Sequence, residues 1–480
     1  MKKYVPIILF LFAVISCNGQ PQKLIIINDT EATEFRYRPL DGKQLPFYSL
    51  SAVINISPGK TTEIILPDGE MLYDIYSENK SFKIYSTKNS VDTIYLKKDS
   101  LYFGGDNKHY NQFLITAEAS EKYCHDYSIG RNHELREVNI LSDFKKTIAS
   151  RKAEDNLLLK NNSFSEKFVK QQQLFTDMRY NALFLKKMNT LYNTPELLTD
   201  DWIDELKNND FQLKNEDSRQ SGWFRDIIKD YVLAKSLMIE KISPQEILKM
   251  NSFNIRSLNE FLFDNYCKVF SGENLEYALA CLFYDDIFQE DYSKDIPPLY
   301  KRFLSLFPDS PYIGILAQGV KKTEDIYNQA DNNSEILTVN YDAEPENFEE
   351  MMRLFAGKVV YIDIWATWCS PCIKMFSHLD NLKEQVRGME DVVFFYISID
   401  RDEYHEKWQK MSSYYNLHGY HYRINEHTSE IIFSTFGNPN GSIEVPRYAI
   451  VDKNGKIAFP NAAAPSDVEK VTEQLKTLLK

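Results

Sequence analysis

The chain has 480 residues, of which 43% are apolar and 26% are charged, and its formal net charge is −13. At roughly 150 residues per domain, this length accommodates two or three domains, and the composition excludes a wholly disordered chain. The acidic balance argues against general nucleic-acid binding, which requires a basic surface. Beyond the N-terminus, no apolar stretch approaches the ~20 residues that span a bilayer.

The N-terminus has the features of an export signal. Lys2 and Lys3 precede an apolar run of 11 residues over 5–15. This run is too short for a membrane span but suits the core of a signal peptide. It leads into Val-Ile-Ser-Cys at residues 14–17, which resembles the bacterial lipobox.

The lipobox resemblance implies that Cys17 is lipidated and becomes the first residue of the mature protein. Each buried methylene of an acyl chain contributes about 0.8 kcal/mol, so several chains anchor a protein firmly to a membrane. The alternative is an ordinary signal peptide that contains a cysteine. We predict a signal peptide over 1–17 and a lipoprotein on the periplasm-facing side of a bacterial membrane, in the cell envelope.

Residues 18–106 have the pattern of a β-rich region. Short runs rich in β-branched and aromatic residues occur at 24–27, 50–56, 61–66, 81–85 and 93–96. Proline- and glycine-containing turn signals separate several of them. Many short strands at this spacing predict a small β-sandwich-like region, in which no motif points to catalysis.

The pattern changes to a helical period over residues 107–323. Phe224, Ile227, Ile228 and Tyr231 recur at helical spacing with charged residues between them. We predict a central α-helical region, and no fixed-period repeat indicates a solenoid. The polar segment over 321–334 indicates a domain boundary.

Strands and helices alternate over residues 335–480, which predicts an α/β layered fold. The predicted strands are 336–340, 358–365, 391–399, 447–451 and 456–459. The predicted helices are 345–355, 370–386, 404–415, 428–436 and 466–479.

The sequence Trp-Ala-Thr-Trp-Cys-Ser-Pro-Cys occupies residues 365–372, where a buried strand ends and a helix begins. A thiolate is the form that attacks a disulfide, and the N-terminal end of a helix stabilises negative charge. Cys369 is therefore expected to have a lowered pKa. Cys372 lies one turn inside the helix and can resolve the mixed disulfide that Cys369 forms.

Other uses of such a pair make different demands. A structural zinc site needs four ligands, and the sequence offers no second pair of this kind. Attachment of c-type haem requires His directly after the second Cys, where this chain has Ile373. A structural disulfide would constrain little in so short a loop, and an inactive copy stays an alternative. We predict a redox-active pair with no metal and no cofactor.

Residues 363–372 resemble the active-site segment of thioredoxins, and in particular the membrane-anchored extracytoplasmic branch, the TlpA/ResA-like proteins. Val-Pro-Arg-Tyr at 445–448 and Val-Asp-Lys-Asn-Gly-Lys at 451–456 resemble the family's cis-proline loop and following hairpin. The resemblance covers about residues 335–480 and implies a C-terminal thioredoxin fold. The whole chain is thus expected to be multidomain.

The resemblance implies a role for each matching residue. Cys369 is the attacking cysteine and Cys372 the resolving one. Asp363 matches the buried carboxylate that helps to deprotonate the resolving cysteine, because burial raises the pKa of an aspartate toward neutrality. Pro446 matches the cis-proline that packs against the pair, and Val445 offers backbone hydrogen bonds to an extended substrate.

Two tryptophans, Trp365 and Trp368, are expected to shape the surface to which the substrate binds. Departures from the family concern the neighbourhood of the pair. TlpA-like proteins often have Glu and a kinking Pro where this chain has Met375 and Ser377, and Tyr396 takes the place of a lysine near the buried aspartate. These changes leave open whether the pair reduces or oxidises its substrates.

The leading hypothesis is an extracytoplasmic protein-disulfide reductase that acts on protein disulfides or thiols and takes electrons from a membrane thiol reductase. One alternative is a non-catalytic envelope lipoprotein whose N-terminal regions bind a partner or a glycan. A peroxiredoxin-like peroxidase needs Thr three residues before its nucleophile, where this chain has Ala366. The lone cysteines Cys267 and Cys281 are expected to be buried free thiols, with a structural disulfide between them as the alternative.

Overall fold

The computed structural model describes residues 21–47, 50–77, 80–98, 100–125, 137–160, 162–192, 194–241, 257–329, 334–341, 343–438 and 441–479. The predicted signal peptide and Cys17 lie outside these ranges. The chain divides into two compact units, residues 1–241 and 242–480. Within the described ranges, no helix is both long enough and apolar enough to cross a membrane.

The first unit begins with two four-stranded sheets. The eight strands are β1 (Lys23–Asp29), β2 (Glu34–Pro39), β3 (Ala52–Asn55), β4 (Lys60–Ile65), β5 (Met71–Ser77), β6 (Lys80–Ser86), β7 (Val91–Lys97) and β8 (Leu101–Gly105). The sheet orders are β4-β1-β7-β8 and β3-β2-β5-β6, and β1 and β7 are the parallel neighbours of the first sheet.

The two sheets share one apolar core because alternate residues of their strands point inward. In β1, Leu24 and Ile26 are fully buried while their neighbours are partly exposed. Residues of the second sheet, including Phe35 and Ile75, belong to the same buried cluster. The strands predicted at 24–27 and 61–66 are confirmed, and the sequence did not predict β2, β5 or β8.

Five α-helices follow the strands in the described residues of the first unit. They are α1 (Lys108–His125), α2 (Leu141–Lys160), α3 (Glu166–Tyr192), α4 (Asp200–Asn208) and α5 (Trp223–Met238). Aromatic side chains join the start of this helical part to β6, with Tyr85 against Tyr110 and Phe168 at ring-centroid distances of 4.7 and 4.8 Å. The predicted helical region of residues 107–323 therefore contributes helices to both units.

In the described residues of the second unit, four helices precede the sheet and six more follow the first strand. The first four are α6 (Leu258–Val269), α7 (Gly272–Gln289), α8 (Ile296–Leu306) and α9 (Ile313–Tyr327). The others are α10 (Phe348–Met352), α11 (Ser370–Phe376), α12 (Leu379–Val386), α13 (His405–Tyr414), α14 (Glu426–Phe436) and α15 (Val468–Leu478).

The sheet of the second unit has six strands in the order β14-β13-β10-β11-β12-β9. Their bounds are β9 (Ile336–Thr338), β10 (Val359–Trp365), β11 (Val392–Ser398), β12 (Gly419–Arg423), β13 (Arg447–Val451) and β14 (Ile457–Phe459). The strands from β10 through β11 and β12 to β9 run parallel, while β13 is antiparallel to both β10 and β14. This mixed sheet with helices on both faces is the α/β fold that the sequence predicted.

Strand β10 lies at the centre of this sheet, and all seven of its residues are buried. Ile362 and Ile364 face one apolar cluster, which α10 and α14 complete. Tyr361 and Trp365 face the opposite side, where α11, α12 and α15 pack. Since successive side chains of a strand point to opposite faces, Asp363 lies on this second face, between Tyr361 and Trp365.

Two local features differ from the prediction. The helix expected over 370–386 is interrupted, so α11 ends at Phe376 and α12 begins at Leu379. The Ser377 hydroxyl donates to the Lys374 carbonyl at 2.9 Å, a side-chain bond that competes with the helical backbone pattern. The break thus occurs without the kinking proline. Strand β12 was not predicted, because its sequence Gly-Tyr-His-Tyr-Arg has little apolar alternation.

Gly419, at the start of β12, is the position where this sheet tolerates no side chain. Its φ is 144°, and a Cβ there would lie 2.7 Å from the Phe394 carbonyl oxygen. We expect Gly419→Ala to lower the free energy of unfolding by roughly 1–3 kcal/mol, measured by thermal or urea unfolding. Gly388→Ala is the matched control, because a Cβ at Gly388 meets no atom within 4 Å. Equal stability of the two variants would contradict the prediction.

Candidate functional site

Cys369 and Cys372 form a disulfide at the junction between β10 and α11, with their Cα atoms 5.2 Å apart. Cys369 is the N-cap of α11, and its Sγ accepts a hydrogen bond of 3.1 Å from the Cys372 backbone N–H. Pro371 occupies the first turn, where a missing N–H leaves no hydrogen bond unmade. Cys369 is 4% exposed and Cys372 is fully buried.

The loop between β10 and Cys369 is held in place by Asp400, a residue that the sequence analysis did not identify. Its carboxylate accepts hydrogen bonds from the Thr367 backbone N–H at 2.9 Å and from the Thr367 hydroxyl at 2.8 Å. It also accepts from the Ser398 hydroxyl at 2.7 Å. Burial raises the pKa of Asp400, and these donors oppose that rise. The end of β10 is therefore tied to the end of β11.

Asp363 is the one buried carboxylate of β10, and it is 1% exposed. Within the described part of the chain, neither of its carboxylate oxygens has a hydrogen-bond partner. Burial raises the pKa of Asp363 to about 8, against the opposing effect of the positive charge of Lys383. The carboxyl group is therefore largely protonated at neutral pH and can exchange a proton there.

Lys383 of α12 is the positive group near Asp363, and the sequence analysis missed it. Burial lowers the pKa of Lys383 to about 8, while Asp380, Glu335 and Asp363 oppose that effect. Its ammonium donates to the His418 carbonyl at 2.9 Å and lies 5.4 Å from the Tyr396 ring centroid.

Tyr396 is the direct cross-strand neighbour of Asp363 in β11. The sequence predicted that Tyr396 takes the place of the lysine. In the structure Tyr396 occupies the strand position, and a lysine from α12 supplies the charge. The helix spacing of Leu379, Leu382 and Val386, which are buried, could have shown that Lys383 borders the buried face.

The two tryptophans of the motif differ in position. Trp368 is 48% exposed and lies next to Cys369, which is compatible with the predicted contact to a substrate. Trp365 is fully buried and packs edge-on against Phe376, with their ring centroids 5.1 Å apart. The expectation that Trp365 contacts the substrate is therefore corrected: a side chain without exposed area supports the loop from inside.

Val445 and Pro446 precede β13 and are joined by a cis peptide bond. Both residues are half-buried. The Val445 side chain packs against the apolar cluster that contains Cys369, Cys372 and Trp365. The loop that the sequence singled out therefore lies beside the disulfide, although the two segments are far apart in the chain.

A second group of residues that the sequence did not single out reaches the site from the helices that precede the sheet. The Ser370 hydroxyl, between the two cysteines, donates to a Glu290 carboxylate oxygen at 2.6 Å. Tyr292 is 2% exposed and belongs to the same buried cluster as both cysteines. The Lys322 ammonium donates to the Tyr292 hydroxyl. No motif marks these residues, because they come together only through the fold.

The remaining cysteines have different environments. Cys281 is a buried free thiol, as expected, whereas Cys267 is an exposed free thiol, so the expectation of burial is wrong for Cys267. Cys267 follows the buried Tyr266 on α6 and faces away from the core. The Cys124 side chain lies outside the described residues. Across the ranges that the structure describes, no group of three or more His, Cys, Asp or Glu could hold a metal ion.

The family model named Redoxin matches residues 320–475. The match begins within α9, before the boundary predicted at 335. Proteins named thiol-disulfide oxidoreductase ResA from Bacillus thuringiensis subsp. konkukian and from Bacillus cereus are each 28% identical over 131 residues. The matched segment is 27% of this chain and 66% of each relative, so the chain spans slightly less than two thirds of their length.

Two solved structures that are similar to this chain each cover about a quarter of it. A Bacteroides vulgatus protein described as a thiol-disulfide oxidoreductase is 31% identical, with a TM-score of 0.23, and covers 27% of this chain and 78% of its own. A thiol:disulfide interchange protein from a Bacteroides species is 21% identical, with a TM-score of 0.22, and covers 26% and 78%.

The raised pKa of Asp363 makes stability depend on pH in a definite direction. An unfolded aspartate has a pKa near 3.9, so the folded protein loses stability as pH rises from about 4 through about 8. We expect Asp363→Asn to remove this loss of unfolding free energy. Each unit of difference between the folded and unfolded pKa of Asp363 contributes about 1.4 kcal/mol to it. The measurement is urea unfolding of the oxidised protein between pH 4 and 9, because disulfide-bonded cysteines do not titrate.

The control for this prediction is Glu473→Gln on α15, which removes an exposed carboxylate. Its unfolding free energy is expected to follow the wild-type pH dependence. An Asp363→Asn profile parallel to that of the wild type would contradict a raised pKa at Asp363.

Proposed function

We propose that this protein is an extracytoplasmic thiol–disulfide oxidoreductase and acts as a protein-disulfide reductase, because residues 320–475 match the Redoxin family model. The observation that carries the proposal is the disulfide of Cys369 and Cys372 at the start of α11, with the buried Asp363 on the same face of β10. ResA proteins of the genus Bacillus, which resemble this segment, are named for the same chemistry.

The reaction is a two-step exchange. The Cys369 thiolate attacks one sulfur of a substrate disulfide, an S–S bond forms between them, and the other substrate sulfur leaves as a thiolate that takes a proton. Cys372 then loses its proton and attacks the Cys369 sulfur. The Cys369–Cys372 disulfide forms and the second substrate thiol leaves. The substrate gains two electrons, the pair loses two, and an external dithiol restores the reduced pair.

Asp363 is the proposed base for the second step. Its carboxyl group has a pKa of about 8 through burial, close to the pH at which a proton must move in the envelope. A base with such a pKa can take the proton of a thiol and return it in the next cycle. Because Cys372 is fully buried, bulk water has no direct access to its sulfur and an internal base is needed.

The substrate side of the site is proposed to consist of Trp368, Val445 and Pro446. Trp368 offers the exposed aromatic surface next to Cys369. Val445 is half-buried and lies just before β13, beside the cysteine pair. Its backbone N–H and C=O groups are available to hydrogen-bond an extended protein segment. A protein disulfide presented on such a segment fits this surface, so the proposed substrates are proteins.

The proposed location is the periplasm-facing surface of a bacterial membrane, with Cys17 as the lipid anchor. The lipobox-like residues 14–17 and the preceding apolar run support this part of the proposal. A membrane thiol reductase is the proposed electron donor, because an enzyme outside the cytoplasm has no access to the cytoplasmic thiol pool.

Replacing either cysteine of the pair should separate the two chemical steps. We expect Cys369→Ser to reduce the rate of insulin disulfide reduction by dithiothreitol to the uncatalysed background. Cys372→Ser retains the attacking thiol and is expected to accumulate a mixed disulfide with the substrate, visible by non-reducing electrophoresis and mass spectrometry. Cys267→Ser is the control, because that thiol is exposed and has no proposed role. Full insulin reduction by Cys369→Ser would refute the proposed chemistry.

The lipid anchor is tested separately from the chemistry. We expect Cys17→Ala to move the protein from the membrane fraction to the soluble fraction and to abolish its partition into detergent in Triton X-114 phase separation. The wild-type protein should carry a mass increment of acyl chains at Cys17. An unmodified wild-type protein in the soluble fraction would rule out the anchor without affecting the redox proposal.

A further inference from the structure

The connection between α7 and α8 brings a carboxylate to the redox pair from outside the strand–helix motif. Glu290 caps the C-terminus of α7 in the left-handed conformation, with a φ of 59°. Its carboxylate accepts the hydrogen bond of 2.6 Å from the Ser370 hydroxyl. Ser370 directly follows the attacking cysteine, so a negative charge is held within the first turn of α11.

Tyr292 is a neighbour of Glu290 in the same connection. The negative charge of Glu290 is among the groups that raise the pKa of Tyr292. Tyr292 in turn accepts from the Lys322 ammonium of α9 and lies 3.5 Å from the Tyr415 hydroxyl. Burial raises the pKa of Tyr292, and Tyr415 and Glu290 raise it further, so this phenol remains a hydrogen-bond donor at neutral pH.

The surroundings make the charge of Glu290 effective. Cys369 is 4% exposed, Tyr292 is 2% exposed and Glu290 is half-buried, so water only partly screens the Glu290 charge on the side that faces the pair. Two charges a few ångströms apart interact several times more strongly in such a region than in bulk water. A fixed carboxylate beside Cys369 therefore opposes the formation of a second negative charge on its sulfur.

We propose that Glu290 is a positioning residue of the redox site, which disfavours the Cys369 thiolate and so keeps the reduction potential of the pair low. This inference rests on the proposed oxidoreductase function and adds that the pair favours reduction of its substrates over their oxidation. Reduction of the disulfide takes two electrons and two protons and yields two thiols, and ionisation of Cys369 then releases one proton. A group that destabilises the ionised form destabilises the reduced pair and makes it a better reductant.

Other charged groups also lie near the pair, and they are the same in the wild-type protein and in a Glu290 variant. Lys322 carries a positive charge near Glu290, and burial lowers the pKa of Lys322 while Glu290 opposes that effect. Asp363 and Lys383 lie on the α11 and α12 face of the sheet. Because a substitution at Glu290 leaves these groups in place, a change in potential reports the Glu290 charge.

The test is the equilibrium of the full-length protein with reduced and oxidised glutathione at pH 8. Glu290→Gln retains an oxygen that can accept the hydrogen bond from the Ser370 hydroxyl, but it removes the negative charge. We expect Glu290→Gln to increase the equilibrium constant for reduction of the pair about 3- to 10-fold, or roughly 15–30 mV toward a more oxidising potential. The Cys369 thiolate absorbance at 240 nm should appear at lower pH in the same variant.

Two further variants separate charge from structure. Glu290→Asp retains the charge and suits the left-handed backbone, so its potential is expected to stay near the wild-type value. Glu390→Gln removes an exposed carboxylate elsewhere in the same unit and should change nothing. A potential of Glu290→Gln that is unchanged or more reducing would overturn the proposal. An equal shift in Glu290→Asp would do the same, because charge could not be its cause.

Two measurements separate the role of Glu290 from the proposed reductase activity. The glutathione equilibrium reports the pair itself and needs no protein substrate. A wild-type protein that exchanges with glutathione but does not reduce insulin disulfides would contradict the protein-disulfide reductase activity. Unaltered insulin reduction together with an unshifted potential in Glu290→Gln would contradict only the role of Glu290.

Discussion

The structure of the site depends on how β10 ends. Seven consecutive buried residues fix this strand at the centre of the sheet, and the Thr367–Asp400 hydrogen bonds fix the loop that follows it. Cys369 is thereby set at the N-cap of α11, with the Cys372 N–H directed at its sulfur. A shift of the loop by one residue would separate the sulfur from the helix end, so packing and hydrogen bonding below the site determine its reactivity.

The same burial that fixes the strand creates its chemistry. Asp363 occupies a position where an apolar residue would be more stable, and the cost of burying its charge is what raises its pKa to about 8. Lys383 limits that rise without forming the close ion pair that would keep the carboxyl ionised. The site thus contains a proton donor and acceptor that works near neutral pH, obtained at the expense of stability.

The helices that precede the sheet in the second unit are part of the redox site rather than an appendage to it. Through Glu290 and Tyr292 they contact the first turn of α11 and cover the attacking cysteine. In the proposed reductase this arrangement joins a cysteine pair on a strand–helix junction to a local charge that tunes its potential. The first unit has its own core, between its two sheets, and no assigned role in the exchange.

The sequence by itself singled out the cysteine pair at the strand–helix junction, Asp363 and the Val445–Pro446 loop, because each belongs to a short contiguous pattern. It also predicted most strands of the six-stranded sheet in the second unit, since a buried strand such as 358–365 is a continuous apolar run. It did not determine β12, the break after Phe376, the burial of Trp365, or the presence of Lys383, Asp400, Glu290 and Tyr292 at the site. Lys383, Asp400 and Glu290 act on residues of the motif that lie 20, 33 and 80 residues away from them in the chain. Only the tertiary structure brings such segments together, because local spacing carries no information about which distant side chain packs against a given turn.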